Sequence, residues 1–364
     1  MNHKNLKTFF FLFALLTSWI AAPAQVKQTF TNPLLPYGAD PFCLFKDGYY
    51  YYTHTTGDRL ELWKTTQIFR LSEAQRKVVY RPPTGKEWSK QLWAPEIHFI
   101  KGKWYIYFSA DDGDNNHHRI FVLENKSPDP MSGQWLFKGK VADKADKWAI
   151  DASVVEFRKK LYMVWSGWKG DTNGQQDIYI ARMKNPWTIK GPRVRISSPI
   201  YEWERNGDLG EEPYHVSVNE GPQPLVHKKN LFVVYSASGC WTDHYSLGLL
   251  RFRGKKNLLD SASWEKSPVP VFSQLPDSAA YAPGHNCFFK SPDGQEDWIL
   301  YHANSLPGQG CGNKRSPRAQ QFFWKIDGSP DFGKPVKPGT LLSAPSSSRP
   351  ANNKRTESPI PDNY

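Results

Sequence analysis

The chain has 364 residues, of which 15% are aromatic, and it contains 26 Gly and 29 Pro, whereas stretches with helical periodicity are almost absent. Aromatic and β-branched runs interrupted by Pro and Gly are typical of strands and turns, so the composition disfavours a helical protein and favours one large β domain. The net charge is +12, but Lys and Arg are spread singly along the chain. This spacing argues against nucleic-acid binding, which needs clustered basic residues.

The first segment has the features of a secretory signal peptide. Lys4 and Lys7 precede an apolar run over residues 9–20, and Ala22-Pro23-Ala24 matches an A-x-A cleavage site. The run is short for a membrane span, and no later segment approaches about 18 apolar residues. We therefore expect residues 1–24 to be removed and the protein to be exported, either to the periplasm or to the medium, without a membrane anchor.

One pattern occurs five times: an aromatic residue, any two residues, a second aromatic residue, then a small or polar residue. The five copies are Tyr49–Thr53, Tyr105–Ser109, Tyr162–Ser166, Phe232–Ser236 and Trp298–His302. Long-period repeats with several short strands in each unit are the signature of propeller blades. The sequence therefore predicts an all-β, five-bladed β-propeller that forms a single domain over residues 25–342.

A polar residue in a Pro-, Gly- or Ala-rich phrase stands upstream of each copy. These residues are Asp40 in GADPF, Glu96 in WAPEI, Asp151 in AIDAS, Glu220 in NEGPQ and His285 in PGHNC. Equivalent positions at the starts of innermost strands converge at one end of a propeller, so the five side chains should form a ring. Clustered carboxyl groups are electrostatically costly without compensating protons, ligands or metal, which favours a functional ring over a structural one.

Such a ring is suited to the cleavage of glycosidic bonds. This reaction requires one protonated and one ionised carboxyl group on opposite sides of a sugar, and clustered carboxyl groups have pKa values that are pushed apart. The many Trp and Tyr residues also suit carbohydrate, because flat aromatic faces pack against sugar C–H surfaces.

The phrases GADPF, LWAPEI, AIDAS, NEGPQ and YAPGHN resemble the blade signatures of glycoside hydrolase family 43, in the family's order, from about Asn32 to Pro335. Within that family, the pattern is most similar to exo-acting α-L-arabinofuranosidases of the α-1,5-arabinan type. β-Xylosidases share the fold and the catalytic residues and remain the alternative enzyme. A non-catalytic carbohydrate-binding propeller is the alternative from another class.

The resemblance implies a role for each of three carboxyl groups. Asp40 matches the general base that activates water, Glu220 matches the general acid, and Asp151 matches the carboxylate that positions the acid and helps to keep it protonated. The implied reaction inverts the anomeric centre, and it predicts a separation of about 6.5–9.5 Å between the carboxyl groups of base and acid.

Four aromatic residues are candidates for the sugar-binding subsite. Phe42 and Trp93 flank ring positions and are predicted to line the subsite, whereas Trp165 and Trp168 lie beside a ring strand and either line the subsite or belong to the core. The implied substrate is arabinan or another arabinose-decorated polysaccharide or oligosaccharide.

Three further residues have implied roles in the site. Glu96 either orients the substrate or closes the ring, and Arg318, in RSPRAQ, resembles a family arginine that reaches the sugar from the fifth blade. His285 matches a family histidine found beside a calcium ion or ordered water. Because calcium prefers oxygen ligands, we expect any ion there to be held mainly through waters. The chemistry itself requires no cofactor.

The spacing of the four cysteines fits no zinc site, and their pairing cannot be read from the sequence. Cys240 and Cys311 both lie in Gly-flanked loops and are the favoured disulfide in an oxidising compartment. The acidic stretch over residues 111–119, DDGDNNHHR, lacks the calcium-loop pattern and is predicted to be a polar turn.

The long segments Ile200–His215 and Gly239–Tyr245 are predicted to enclose the funnel as a pocket that admits only a chain end, which favours exo action. Residues 343–364 are rich in Pro, Ser and Asn and are predicted to be a disordered tail. We expect a monomer.

Overall fold

The structure, a computed structural model, describes residues 28–207, 216–254 and 257–347. The predicted signal peptide and most of the predicted tail lie outside these ranges. The described chain forms five four-stranded antiparallel sheets in a ring, and this confirms the predicted five-bladed propeller. Within each sheet the strands follow one another in chain order.

The strand bounds, in chain order, are as follows. They are β1 Thr29–Phe30; β2 Phe42–Lys46, β3 Tyr49–Thr53, β4 Leu60–Thr65 and β5 Gln75–Tyr80 in blade 1; β6 Lys90–Ile100, β7 Lys103–Asp111, β8 Arg119–Asn125 and β9 Leu136–Lys140 in blade 2; β10 Ala149–Phe157, β11 Lys160–Trp168, β12 Gln176–Asn185 and β13 Thr188–Ser197 in blade 3; β14 Asn219–His227, β15 Asn230–Ala237, β16 Ser246–Phe252 and β17 Trp264–Lys266 in blade 4; β18 Tyr281–Lys290, β19 Asp297–Asn304, β20 Ser316–Trp324 and β21 Pro330–Asp331 in blade 5; and β22 Leu342–Ser343.

Helical structure in the described ranges is limited to short 3-10 segments. These are Ile68–Glu73, Asn115–His117, Glu202–Glu204, Ser261–Ser263 and Pro276–Ser278. No helix in this part of the chain has the length and apolar character that a membrane crossing requires.

The first strand of every blade lies on the inside of the ring. β2 contacts β6, β6 contacts β10, β10 contacts β14, β14 contacts β18, and β18 contacts β2, which closes the circle. The five aromatic repeats lie in the second strands, where their side chains fill the spaces between neighbouring blades. One buried cluster, for example, contains Tyr105 of blade 2 and Trp165 of blade 3. Another contains Tyr162 of blade 3 and Val233 of blade 4.

The two ends of the described chain meet between blades 1 and 5. β1 pairs antiparallel with β22, and the Asn32 side chain exchanges two hydrogen bonds of 2.9 Å with the backbone of Ala319 in blade 5. The domain boundary predicted at residue 342 therefore falls inside a two-stranded sheet. Ser343, the first residue of the predicted tail, is paired in that sheet with Thr29.

Candidate active site

A cavity of about 410 Å³ opens at the end of the propeller where the first strands begin. Asp40, Asp151, Glu220 and His285, from four different blades, all border this cavity. The structure thus brings four of the five ring residues to one pocket, as the phase of the repeat predicts. The fifth, Glu96, lies buried beside it, where its Oε1 atom accepts a hydrogen bond from Gln223 and its Oε2 atom lies 2.9 Å from His98 Nε2.

Bulges in the first strands of blades 3, 4 and 5 lie where Asp151, Glu220 and His285 enter the pocket, whereas Asp40 precedes β2, which pairs with β3 in regular register. The register between first and second strands shifts around Asp151, just after Glu220 and around His285. A bulge bends its strand and re-aims a side chain, and it often places a residue in the left-handed backbone region. Asp40, Asp151 and His285 have φ values of 56°, 58° and 46°, which is a costly conformation for residues other than Gly.

Asp40 lies in a pocket of cationic and hydrogen-bonding groups. Arg315 Nη1 is 2.9 Å from Asp40 Oδ1, the Thr55 hydroxyl donates to Oδ2 at 2.6 Å, and His285 Nδ1 lies 3.3 Å from Oδ1. Burial alone would raise the pKa of Asp40, but the Arg315 charge, the His285 and His302 imidazoles and the Thr55 hydrogen bond hold that pKa well below its usual value. Asp40 is therefore ionised at the pH values at which the protein is expected to function.

Glu220 and Asp151 form a second electrostatic unit across the pocket. The Tyr245 hydroxyl donates to Glu220 Oε1 at 2.8 Å, and the Gly221 N–H donates to Asp151 Oδ2 at 3.0 Å. Burial raises the pKa of Glu220 to about 7, with a contribution from the Asp40 charge, whereas the Tyr245 hydrogen bond opposes the shift. Burial and the Glu220 charge likewise raise the pKa of Asp151 well above its usual value. The pair therefore retains a proton at a pH at which exposed carboxyl groups are ionised.

Gly221 links Glu220 and Asp151, the two members of this unit. Its φ of 55° is one that L-residues rarely adopt, and a Cβ atom there would lie 3.3 Å from the His285 ring. Glycine at this position lets the backbone N–H reach Asp151 while Glu220, the preceding residue, points into the pocket.

Aromatic side chains form one wall of the pocket. Trp93 and Trp148 both line it, and each is supported from behind: Trp93 stacks on His118 with ring centroids 4.0 Å apart, and Trp148 stacks on Trp168 at 4.6 Å. The Trp148 indole N–H also donates to the Asn115 carbonyl at 2.7 Å. Rigid aromatic faces beside carboxyl groups are suited to binding a sugar ring.

Cys240 and Cys311 form a disulfide that borders the same pocket, which confirms the favoured pairing. Cys43 and Cys287 are buried thiols on the adjacent first strands of blades 1 and 5, and the Cys43 N–H donates to Cys287 Sγ at 3.1 Å.

Comparison with known proteins fits this geometry. The sequence profile of glycosyl hydrolases family 43 matches residues 30–330, nearly the whole described chain. The protein belongs to this family. The pocket that contains the carboxyl groups of Asp40, Asp151 and Glu220 is therefore the candidate active site of this family 43 protein.

Relatives within family 43 are similar over most of the chain. A Streptomyces avermitilis protein named extracellular exo-α-(1→5)-L-arabinofuranosidase is 38% identical over 328 residues, which are 87% of this chain and 66% of the relative, so the chain spans slightly less than two thirds of that protein. A Streptomyces chartreusis protein of the same name is 38% identical over 290 residues, 78% of this chain and 85% of the relative. The crystal structure of an α-L-arabinofuranosidase from Lactobacillus brevis superposes with a TM-score of 0.79 at 36% identity and covers 85% of this chain and 98% of that one.

Three of the four aromatic candidates for the sugar-binding subsite do not border the pocket of this family 43 protein. Phe42 is 8% exposed and packs against His98 in the core between blades 1 and 2, and Trp165 is buried between blades 2 and 3. Trp168, the other alternative, contributes only by supporting Trp148. Alternation along a strand decides which side chains face the axis, and a one-residue bulge reverses that alternation, so sequence position alone does not resolve it.

Arg318, which is predicted to reach the sugar, does not border the pocket. It is fully buried inside blade 5, where its guanidinium donates to the Ala279 carbonyl at 2.8 Å and the Ser305 hydroxyl at 3.0 Å. Arg315, three residues earlier in the same RSPRAQ phrase, lines the pocket and contacts Asp40 instead. Arg315 precedes β20, whereas Arg318 lies within it opposite Tyr301, and this difference in position is the signal that could have separated them.

The sequence interpretation also missed several pocket residues. Thr55, Trp148 and Arg315 line the pocket. Trp241, which also lines it, and Tyr245, which contacts Glu220, lie in the segment Gly239–Tyr245 that is predicted to enclose the funnel, but neither is singled out as a site residue. All five lie in connections between strands, where no periodic pattern marks the direction of a side chain. The stretch DDGDNNHHR does form a turn, as predicted, but it also supplies His118, on which Trp93 stacks.

The ion predicted beside His285 has few protein ligands available. Within residues 28–207, 216–254 and 257–347, no three His, Cys, Asp or Glu side chains are grouped as a metal-binding set. His285 itself is nearly buried, and its Nδ1 atom faces Asp40. Any ion there would depend on waters rather than on a cage of side chains.

Proposed function

We propose that this protein is an exported, inverting exo-α-L-arabinofuranosidase that releases terminal arabinofuranosyl residues from arabinan or related plant polysaccharides. One observation carries the proposal: a single pocket holds a carboxyl group that stays ionised, Asp40, opposite a carboxyl group that keeps a proton near neutral pH, Glu220. Opposed protonation states of this kind are what acid–base cleavage of a glycosidic bond requires.

In the proposed reaction, Asp40 accepts a proton from a water molecule as that water attacks the anomeric carbon. Glu220 donates its proton to the departing glycosidic oxygen, so the bond from the anomeric carbon to that oxygen breaks as the new bond to water forms. Asp151 accepts a hydrogen bond from the N–H of Gly221, the residue after Glu220; in this proposal it positions Glu220 and helps to keep it protonated. Trp93 and Trp148 provide faces for the sugar.

The arabinose specificity rests on the relatives. Those that are 38% identical are named exo-α-(1→5)-L-arabinofuranosidases, so the β-xylosidase alternative is not favoured. Exo action is proposed from the relatives' names and from the two loop segments that are predicted to enclose the funnel. The segment Gly239–Tyr245 supplies Cys240 and Trp241 to the pocket wall. In the segment Ile200–His215, the Gly207 carbonyl accepts a hydrogen bond from the Trp241 indole but does not itself line the pocket, and residues 208–215 lie outside the described ranges. The non-catalytic alternative is disfavoured because a binding protein has no need for three carboxyl groups with divergent pKa values.

Export is supported by the disulfide, since such bonds persist in oxidising compartments, and by the relatives' names, which include the word extracellular. The predicted signal peptide agrees with this location. Periplasmic and fully secreted forms would be distinguished by fractionating the producing cells and probing each fraction for the mature chain.

The deciding experiment compares hydrolysis of chromogenic α-L-arabinofuranoside and β-D-xyloside by the wild type, Glu220→Ala and the control Glu156→Ala. Glu156 lies exposed on β10, the strand that carries Asp151, so its loss should not affect turnover. We expect arabinofuranoside turnover by the wild type and the control, and a loss of at least 10²-fold in Glu220→Ala, the size typical of general acid catalysis. Preference for the xyloside would contradict the substrate assignment, and retention of anomeric configuration, read by NMR, would contradict the mechanism.

We further propose that a calcium ion, if the protein binds one, lies beside His285 and is held through waters. The chemistry of family 43 needs no cofactor, so the ion would contribute to stability and to the orientation of the imidazole. Melting temperature and terbium luminescence, measured with and without EDTA for the wild type and His285→Ala, test this directly. No luminescence and no change in melting temperature would exclude the ion.

A further inference from the structure

Trp241 lies at the rim of the active-site pocket and has no role in the proposed chemistry. It belongs to the loop between β15 and β16, lines the pocket and is 36% exposed, whereas Trp148 deeper in the pocket is only 3% exposed. A large aromatic side chain that stays this exposed beside a carbohydrate pocket is a candidate surface for a sugar ring.

The indole of Trp241 is fixed in place on several sides. Its N–H donates to the Gly207 carbonyl at 2.9 Å. One part of the ring lies over Gly239, where a Cβ atom would come within 2.3 Å of the indole. A residue larger than glycine at that position would displace the ring. The side chain is thus held rigidly before any ligand arrives, and such pre-organisation lowers the entropic cost of binding.

Two links tie this loop to blade 5. Cys240, the neighbour of Trp241, forms the disulfide with Cys311, and the Asp243 carboxylate accepts a hydrogen bond of 2.9 Å from the Gly308 N–H. The disulfide therefore connects the loop of Trp241 to the loop that leads to Arg315, the partner of Asp40.

The position of the general acid shows which part of the substrate Trp241 would meet. Glu220 must lie within hydrogen-bond reach of the departing oxygen, so the leaving group occupies the blade 4 side of the pocket. The loop that carries Trp241 also supplies Tyr245, which donates to Glu220 at 2.8 Å. Among the described aromatic residues that line the pocket, Trp241 is the one on this loop.

We propose that Trp241 forms the binding surface for the sugar on the leaving-group side of the scissile bond, and that the Cys240–Cys311 disulfide holds this surface in position. The inference rests on the proposed function, since it takes Glu220 as the acid and an arabinose oligosaccharide as substrate. The side chain thus selects for a carbohydrate leaving group over a small alcohol.

The test compares α-1,5-linked arabinotriose with methyl α-L-arabinofuranoside, whose leaving group offers no ring to stack. For Trp241→Ala, the ratio of kcat/KM on arabinotriose to that on the methyl glycoside should fall about tenfold, mainly through KM, since one stacking contact is worth about 1.4 kcal/mol or a factor of ten. Trp241→Phe should restore most of the ratio. Phe323→Ala, which removes an exposed aromatic from β20 outside the pocket, is the control and should leave the ratio unchanged.

The paired variant Cys240→Ser/Cys311→Ser tests the role of the disulfide. It should lower the same ratio, and its combination with Trp241→Ala should lower the ratio no further, because both changes remove the same contact. Additive losses would contradict the positioning role, and an unchanged ratio in Trp241→Ala would overturn the binding surface itself.

If the wild type cleaves neither substrate, the proposed function is refuted, and the binding surface is then tested by a binding measurement instead. Arabinotriose binding to Glu220→Gln is then measured by calorimetry and compared with binding to Glu220→Gln/Trp241→Ala. A tenfold weaker Kd in the double variant would support the surface, whereas equal Kd values or no binding to either would overturn it.

Discussion

Arg315 Nη1 lies 2.9 Å from Asp40 Oδ1, and this contact joins a loop of blade 5 to the carboxyl group at the start of blade 1. Asp40 is nearly buried, a situation that would normally favour its protonated form. The guanidinium offsets that effect, so the proposed base is ionised without being exposed to solvent. Arg315 follows Cys311 in the same loop, so the disulfide and the arginine that keeps Asp40 ionised belong to one structural unit.

The first prediction concerns Arg315→Met. Without the guanidinium, the effect of burial on Asp40 is opposed by less positive charge, so the pKa of Asp40 rises toward or above its ordinary value. Activity requires ionised Asp40 and is lost as pH falls through that pKa. The acidic limb of the kcat/KM profile should therefore move to higher pH in this variant, with kcat/KM at neutral pH reduced about 10-fold or more.

Arg318→Met provides the matched control for that prediction. Arg318 bonds the Ala279 carbonyl and the Ser305 hydroxyl inside blade 5, and removal of the guanidinium leaves these groups without that donor. We expect a lower free energy of unfolding, by about 1–3 kcal/mol, and an acidic limb that does not move. If Arg318→Met shifted the acidic limb and Arg315→Met did not, the assignment of the two arginines would be reversed.

A second prediction follows from the hydrogen bond between Tyr245 and Glu220. The hydroxyl stabilises the ionised carboxylate, so it lowers a pKa that burial raises to about 7. In Tyr245→Phe the pKa of Glu220 should rise further, and the protonated, active form should persist to higher pH. The alkaline limb of kcat/KM should shift upward by a measurable fraction of a pH unit or more, although the loss of positioning lowers the maximum. A downward shift would mean that a different group controls this limb.

Periodicity explains how much of this architecture could be predicted. The aromatic repeat is a property of the second strands, and the polar residues precede it in phase, so the number of blades and the ring of Asp40, Asp151, Glu220 and His285 follow from spacing alone. The positions of the other side chains that complete the pocket cannot be predicted from this spacing. Their positions depend on where bulges reverse the alternation and on loops that are fixed by contacts between different blades.

Trp93 and Phe42 illustrate this limit. Both flank ring residues in the sequence, yet Trp93 borders the pocket and Phe42 packs into the core against His98. Trp93 comes just before a shift in the register of its strand, whereas Phe42 is the first residue of a strand that pairs with β3 in regular register. Long-range contacts such as that between Arg315 and Asp40 leave even less trace in a single sequence.

A third prediction concerns the contribution of the disulfide to stability. Cys240 and Cys311 are separated by 71 residues, and closing a loop of that length restricts the unfolded chain by about 4 kcal/mol in the chain-entropy model, with about 2–4 kcal/mol typical of measurements. Denaturation of Cys240→Ser/Cys311→Ser by urea should show a loss in that range. Wild type treated with a reductant before unfolding should match the variant, since Cys43 and Cys287 are already thiols. An unchanged midpoint would show that the bond contributes only to the local geometry.

A buried ion pair underlies the fourth prediction. Lys266 Nζ, at the edge of blade 4, lies 2.5 Å from Glu204 Oε1, and the two side chains are 10% and 0% exposed. Glu204 also accepts hydrogen bonds from the Tyr235 hydroxyl at 2.9 Å and the Asn219 amide at 3.1 Å. Asn219 directly precedes Glu220, so this network connects the outer strand of the blade to the backbone of the proposed acid.

Lys266→Met should therefore be strongly destabilising, because it leaves Glu204 buried without its cationic partner. Removal of one member of a buried pair typically costs about 3–5 kcal/mol, whereas an exposed pair contributes about 0–1 kcal/mol. Lys290→Met is the matched control, since Lys290 pairs with Asp297 at 2.6 Å and its side chain is 53% exposed. Urea denaturation should show a large loss for Lys266→Met and a small one for Lys290→Met. Equal losses of unfolding free energy in the two variants would mean that the charge of Glu204 does not depend on Lys266 for compensation. The hydrogen bonds of Glu204, rather than the ion pair, would then hold the segment Glu202–Glu204 in place.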